Sequence, residues 1–111
     1  MQTSQIQSPS LTSSLGTSVA TILAGPPAST YTAVSAITFC NKSGSNCWVT
    51  CSIYNGTTDV YLAWQATVAP GDTLVLGGVN LKVLLSNGFS LRALAQTAAA
   101  IDVTVSSVQF T

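Results

Sequence analysis

The sequence predicts an all-β fold: a single antiparallel β-sandwich or jelly roll of about eight strands, preceded by an extended N-terminal arm. Three observations carry this expectation. From Val19 onward, turn chemistry recurs every eight to twelve residues. Between the turns lie segments rich in Val, Ile, Thr, Tyr and Phe whose side chains alternate with the period of two that lines the faces of a strand. No segment carries the 3.6-residue apolar period of an amphipathic helix.

Residues 1–17 form the arm. Met1 to Gly16 is mostly Ser, Thr and Gln with isolated Ile6, Leu11 and Leu15, too little apolar surface to order by itself. The arm is expected to be ordered by lying across a neighbouring subunit, with those three aliphatic residues as anchors. Residues 18–111 form the sandwich domain.

Strands are expected at 19–24, 31–41, 47–54, 59–66, 73–76, 80–85, 89–95 and 101–110. They are separated by Gly25-Pro26-Pro27, Ser43-Gly44-Ser45-Asn46, Asn55-Gly56, Pro70-Gly71-Asp72, Gly77-Gly78, Asn87-Gly88 and the small-residue step Thr97 to Ala100, all residues suited to tight turns. Alternation assigns Val49, Cys51 and Ile53 to one face of their strand and Thr50, Ser52 and Tyr54 to the other. In the next strand Val60, Leu62 and Trp64 share a phase, which places Trp64 in the core. Leu91, Ala93 and Ala95 alternate with Ser90, Arg92 and Leu94. Ile101, Val103 and Val105 alternate with Asp102, Thr104 and Ser106. A phase shift at Ser106-Ser107, as a β-bulge produces, would turn Val108 and Phe110 inward. Ala95 to Ala100 reads as a loop, being short and interrupted by Gln96-Thr97.

Composition narrows the function. Only Lys42, Lys82, Arg92, Asp59, Asp72 and Asp102 are charged among 111 residues; there is no His or Glu, 47% of the residues are hydrophobic, and thirty are Ser or Thr. An ordinary soluble domain is about 25% charged; this chain, at 5%, reads as a domain whose surface is covered by assembly. Three scattered basic residues give no footprint for nucleic acid or anionic lipid, so neither nucleic acid nor a membrane is expected as a partner. The chain has length for one core. Its longest apolar runs fall far short of the roughly 20 residues of a membrane span. The N-terminus has neither a basic n-region nor an apolar h-region, so assembly in a cytosol is expected. The odd count of Cys40, Cys47 and Cys51 precludes a closed set of disulfides. Small buried thiols are expected, with a single bridge from Cys40 to Cys47 or Cys51 left open.

Catalysis lacks its usual parts. Many hydroxyls are present, but no His or Glu to activate them, and Lys42 and Lys82 read as solvated lysines. Asp59, Asp72 and Asp102 are far apart in sequence, and no glycine-rich phosphate loop occurs. No enzyme activity, cofactor or metal is expected. The sequons at Asn41 and Asn55 fall in a Ser/Thr-rich chain where chance produces them. Trp48 and Tyr54 fall on the outward face of their strand, where they would contact a sugar or, preferably, another subunit, since aromatics anchor protein interfaces.

Several stretches resemble a known group. Tyr31-Thr-Ala-Val-Ser-Ala-Ile-Thr-Phe-Cys-Asn41 with Ser43-Gly44-Ser45 is followed by Val68-Ala-Pro-Gly-Asp-Thr-Leu-Val-Leu76, then Leu84-Leu-Ser-Asn-Gly-Phe-Ser-Leu-Arg-Ala-Leu-Ala95 and Ala100-Ile-Asp-Val-Thr-Val-Ser-Ser-Val108. Over about 80 residues this resembles the small β-sandwich virion structural proteins of tailed bacteriophages. The resemblance implies a non-enzymatic capsid decoration (cement) protein that binds the assembled shell as an oligomer, expected to be a homotrimer, and stabilises it. It also implies the major capsid protein and copies of this chain as partners, and a place on the capsid surface of a virion assembled in the host cytoplasm. A tail-fibre, head-fibre or neck module binding a host glycan is the alternative. Ile6, Leu11, Leu15, Trp48 and Tyr54 are the expected partner contacts. The low charge requires adhesion through apolar burial and backbone hydrogen bonds, including strand addition.

Overall fold

A computed structural model describes the backbone of residues 4–7, 12–77 and 83–110, and the side chains of 14–77 and 83–109. Among the described residues ten strand segments follow one another: β1 (Ser4–Gln7), β2 (Thr12–Ser14), β3 (Ala20–Leu23), β4 (Tyr31–Asn41), β5 (Cys47–Tyr54), β6 (Asp59–Val68), β7 (Thr73–Gly77), β8 (Val83–Leu85), β9 (Ser90–Ala95) and β10 (Ile101–Phe110). They fill eight strand positions, because β1 and β2 both pair with β10, and β7 and β8 both pair with β4. The front sheet runs β1/β2, β10, β4, β7/β8, and the back sheet runs β3, β9, β5, β6. Every pairing is antiparallel.

The pairings describe one long hairpin rolled up. β5 meets β6, β4 meets β7 and β8, β3 meets β9, and β2 and β1 meet β10. Rolling adds the contacts of β10 with β4 and of β9 with β5. This is the jelly-roll form of the expected sandwich. The core between the sheets is built by the inward phase of each long strand. Ile37 and Phe39 from β4, Val49 and Cys51 from β5, Leu91 from β9, and Ile101, Val103 and Val105 from β10 are fully buried. Losing a side chain such as Phe39 from such a core costs about 3–5 kcal/mol.

The expected register break occurs at Ser106/Ser107, but the extra residue lies on the partner strand. Ser106 faces Ala36 and Ser107 faces Val34, which leaves Ser35 of β4 unopposed. The Ser35 hydroxyl donates to the Ser106 carbonyl at 3.0 Å. β10 therefore keeps its alternation, with Ser107 buried and Val108 half-buried on the outer face. The inward expectation for Val108 is thus corrected; the side chain of Phe110 lies outside the described ones. In β4 the phase does change: Thr32 and Val34 are inward before the bulge, Ile37 and Phe39 after it. A step of two small polar residues in one strand does not reveal which of two paired strands carries the surplus.

On one side of the β10–β4 pair Gln7 pairs with Ser107 and Thr12 with Thr104; on the other Gly77 pairs with Ala36 and Val83 with Val34. Gly77 fits here because it has no side chain: a Cβ would lie 2.8 Å from the Ser35 carbonyl oxygen and 2.9 Å from the Ala36 Cα.

The N-terminal segment is placed against its own chain. β1 and β2 form the edge of the front sheet, and Leu15 is 4% exposed within the core. The Leu15 amide donates to Ile101 O at 2.8 Å, the Ala99 amide to Leu15 O at 3.1 Å, and the Ala95 amide to Gly16 O at 2.9 Å. Residues 14–16 thus close the sandwich as part of it, whereas the sequence assigned them to the arm. An isolated Leu among Ser and Thr gives no periodic signal, and its burial arises from the long-range pairing with β10.

Asn41 ties the ends of the two sheets together. It is fully buried. Its Nδ2 donates to Ser45 O and Val68 O, each at 2.8 Å, and its Oδ1 accepts from the Ser43 amide at 2.9 Å. Its backbone accepts from Gly71 N at 2.9 Å and donates to Asp72 O at 3.0 Å. Burial and this full set of bonds identify Asn41 as a structural residue rather than a glycan acceptor.

Candidate binding face

The back sheet carries a groove on its outer face. In the register, Arg92 of β9, Ser52 of β5 and Tyr61 of β6 lie in one row, which puts their side chains on the same face. Arg92 reaches diagonally over Ser52 to Asp59. Its Nε donates to Asp59 Oδ1 at 3.1 Å and its Nη2 to Oδ2, while the Ser52 hydroxyl donates to Oδ1 at 2.9 Å. The guanidinium carbon lies 3.9 Å from the centroid of the Tyr54 ring, and the Tyr54 hydroxyl donates to Gly56 O at 3.0 Å. A guanidinium held by a forked carboxylate beneath and a ring face beside it is fixed in direction.

Thr50 and Ser52 form the floor, nearly inaccessible although they belong to the outward phase. Tyr61 stands on one side, Val19 and Leu94 on the other, and the Arg92–Asp59 pair closes one end; the groove is open to solvent and its volume is about 200 Å³. The Arg92 hydrogen bonds, aided by Ser52, hold the Asp59 carboxyl below the usual carboxylate range against the opposing effect of burial. The Asp59 hydrogen bond in turn raises the Arg92 pKa.

β6 is bent to form this wall. Its register against β5 shifts twice, between Val49 and Cys51 and between Cys51 and Ser52, and each time β6 carries the additional residue. Gln65 adopts φ +47°, a left-handed conformation costly for a residue with a Cβ. These bulges overturn the strict alternation expected for β6. Trp64 and Val60 are 60% and 59% exposed, while Leu62, Ala63 and Ala66 pack on the core. Trp64 is therefore outside the core. Its ring meets that of Tyr61 edge-on, with centroids 4.7 Å apart.

The expected contact residues do not form one patch. Trp48 and Tyr54 sit near opposite ends of β5, six positions and about 20 Å apart at the rise of a strand, and both are half-buried. Trp48 is held by its amide, which donates to Gln96 Oε1 at 3.2 Å. Tyr54 belongs to the Arg92 cluster. Ile6 stands opposite Val108 in the register, Leu15 is in the core, and Leu11 lies outside the described residues, as does Lys82. Asp59 and Asp102 lie on opposite outer faces of the sandwich; Asp102 pairs with Lys42 at 3.0 Å and accepts from the Ser14 hydroxyl at 2.7 Å. The Ser14 bond, with Lys42 second, lowers the Asp102 pKa. Asp72 accepts from the Thr73 amide at 2.9 Å, a turn role. The three cysteines are free thiols, Cys47 and Cys51 in the core and Cys40 half-buried; burial pushes the Cys51 pKa up to about 12.

The outer face of the front sheet carries a second feature. Val108, Ala33 and Leu84 lie in one cross-strand row, with Ile6 next along the register. Leu84 is 59% and neighbouring Tyr31 42% exposed.

No protein-family model matches this sequence, and no curated protein sequence matches it. Solved structures do share its shape. The VP2 subviral particle of infectious bursal disease virus aligns over 99% of this chain with a TM-score of 0.50 at 14% identity, and this chain spans 32% of the VP2 chain. A pentameric capsid protein from metagenomic phage sequences aligns over 88% of this chain and 57% of its own, with TM-score 0.43 and 22% identity. A structure of the disulfide-linked pili of Bacillus endospore appendages aligns over 99% and 84%, with TM-score 0.49 and 16% identity. The VP2 likeness shows a shared β-sandwich fold.

Proposed function

We propose that this chain is a non-enzymatic structural protein of a virion: a decoration protein that binds the assembled capsid shell as a homotrimer and stabilises it. The observation that carries the reading is the apolar row of Val108, Ala33 and Leu84 on an outer sheet face, in a chain with six charges. Apolar side chains gathered on an outer sheet face, with Leu84 59% exposed at one end, mark an interaction surface. Jelly rolls recur in capsid domains, which agrees with this reading, although fold alone does not assign a role.

In this reading the front sheet packs against copies of itself and against the major capsid protein, with β1 and Ile6 at the margin of the contact. Binding the assembled shell in preference to loose subunits stabilises the shell by mass action, and several anchors per trimer add avidity. The test is co-sedimentation with isolated capsid shells, with sedimentation velocity for the free protein. Leu84→Asp should reduce both self-association and shell binding while the fold, read by circular dichroism, is retained. A trimer that binds shells as tightly with Asp at position 84 would overturn the reading. Deletion of residues 1–8 probes the margin separately from Leu15, because it leaves Leu15 in place.

A further inference from the structure

We infer that the back-sheet groove is a binding site for a single neutral sugar ring. This goes beyond shell binding, since the groove lies on the face of the sandwich opposite the apolar row. Four observations carry it. First, the site is electrically balanced: Arg92 and Asp59 are bonded to each other through two hydrogen bonds, so neither a free anion nor a free cation finds an uncompensated partner. Second, the pair is nonetheless polar and directional. Arg92 has five N–H donors, and its Nε and Nη2 are committed to Asp59, leaving the rest of a rigid fork to address hydroxyl groups. Third, the wall is aromatic. Tyr61 is 49% exposed and leans on the exposed Trp64, presenting apolar ring surface to the C–H face of a sugar. Fourth, the volume of about 200 Å³ is below the roughly 300–1,000 Å³ of sites for drug-sized ligands, which suits one ring.

The backbone supports the same assignment. Strained conformations collect at ligand sites, and the left-handed Gln65 is tied to the groove floor through its amide, which donates to the Thr50 hydroxyl at 3.0 Å. A ligand that is uncharged, about one ring in size, apolar on one face and hydroxylated at its edge is a neutral monosaccharide unit, free or at the end of a glycan.

The full chain should be titrated with the methyl glycosides of glucose, galactose, mannose and N-acetylglucosamine, with methyl glucuronide and glucosamine as charged comparators. Binding is read by calorimetry and by ¹H–¹⁵N shifts. At least one neutral glycoside should bind in the millimolar range and shift the Trp64 indole and Arg92 side-chain signals. Tyr61→Ala or Trp64→Ala should weaken it about tenfold, or about 1.4 kcal/mol, and Leu84→Ala on the other sheet should leave it unchanged. The inference is overturned if no neutral glycoside binds, if shifts arise away from the groove, if both aromatic variants bind as the parent does, or if a charged comparator binds more tightly. Loss of self-association in Tyr61→Ala without any sugar binding would overturn it in favour of a subunit contact. Leu84→Asp separates the two readings: it should reduce shell binding and leave sugar binding intact.

Discussion

The Thr50 hydroxyl oxygen accepts a hydrogen bond from the Gln65 amide at 3.0 Å. This bond satisfies the backbone of β6 where the bulge has removed its ladder partner, and so holds the left-handed conformation of Gln65. Thr50→Val keeps the shape and removes the acceptor, leaving an N–H without that bond; urea unfolding should show a loss of about 1–3 kcal/mol. Gln65→Gly accepts φ +47° without strain and should be neutral or stabilising by at most about 1 kcal/mol. A large loss in Gln65→Gly would show that the side chain, rather than the backbone angle, matters there.

Asn41→Ala should cost about 3 kcal/mol, because the Val68 carbonyl would lose its donor in the buried interior and Ser43 its Oδ1 acceptor. Asn41→Asp should be worse near neutral pH, where a carboxylate would face the Ser45 and Val68 carbonyls. Its deficit should shrink as the pH falls and the acid protonates. A pH-independent difference from the parent, measured by thermal unfolding, would contradict the network described.

Acid should destabilise the protein through two carboxyls. Asp59 and Asp102 are held below the ordinary carboxylate range, chiefly by hydrogen bonds from Arg92 and Ser14 respectively. A folded pKa below the unfolded value contributes stability above about pH 4 that is lost as the pH falls through the folded pKa. With no His, no side chain has its ordinary pKa between about 5 and 8, so stability should be flat there and fall in acid. Asp59→Asn should shallow the acid limb. An unchanged limb would show that the pairing with Arg92 contributes nothing on folding.

Of the three thiols, only Cys40 reaches solvent. Iodoacetamide at pH 8 should add one group to the native chain and three after unfolding, counted by intact mass. Rapid native labelling at Cys51 would contradict its burial and its pKa of about 12.

Strand positions were legible in the sequence because the turns are marked by Gly, Pro and Asn and the core strands alternate strictly: Leu91, Ala93 and Ala95 are buried as their phase requires, and so are Ile101, Val103 and Val105. The bulges were less legible. A break was visible at Ser106-Ser107, yet the surplus residue is Ser35, seventy-one residues away and adjacent only through pairing. For Trp64, alternation from Val60 placed the ring inside, and no local residue announced the two extra positions in β6. The groove itself required knowing that β9, β5 and β6 adjoin. Arg92 and Asp59 are thirty-three residues apart, and opposite charge on two outward phases was the one available signal.

The single surplus residue at Ser35 has a geometric consequence. β4 and β10 both run through that level, and β4 carries one residue more than its partner. A bulge bends its strand and increases the local twist. The rows bearing Leu84 and Tyr31 are therefore turned relative to the row bearing Asp102, on the same outer face. The front sheet thus offers two facets rather than one plane, and one serine sets the angle between them.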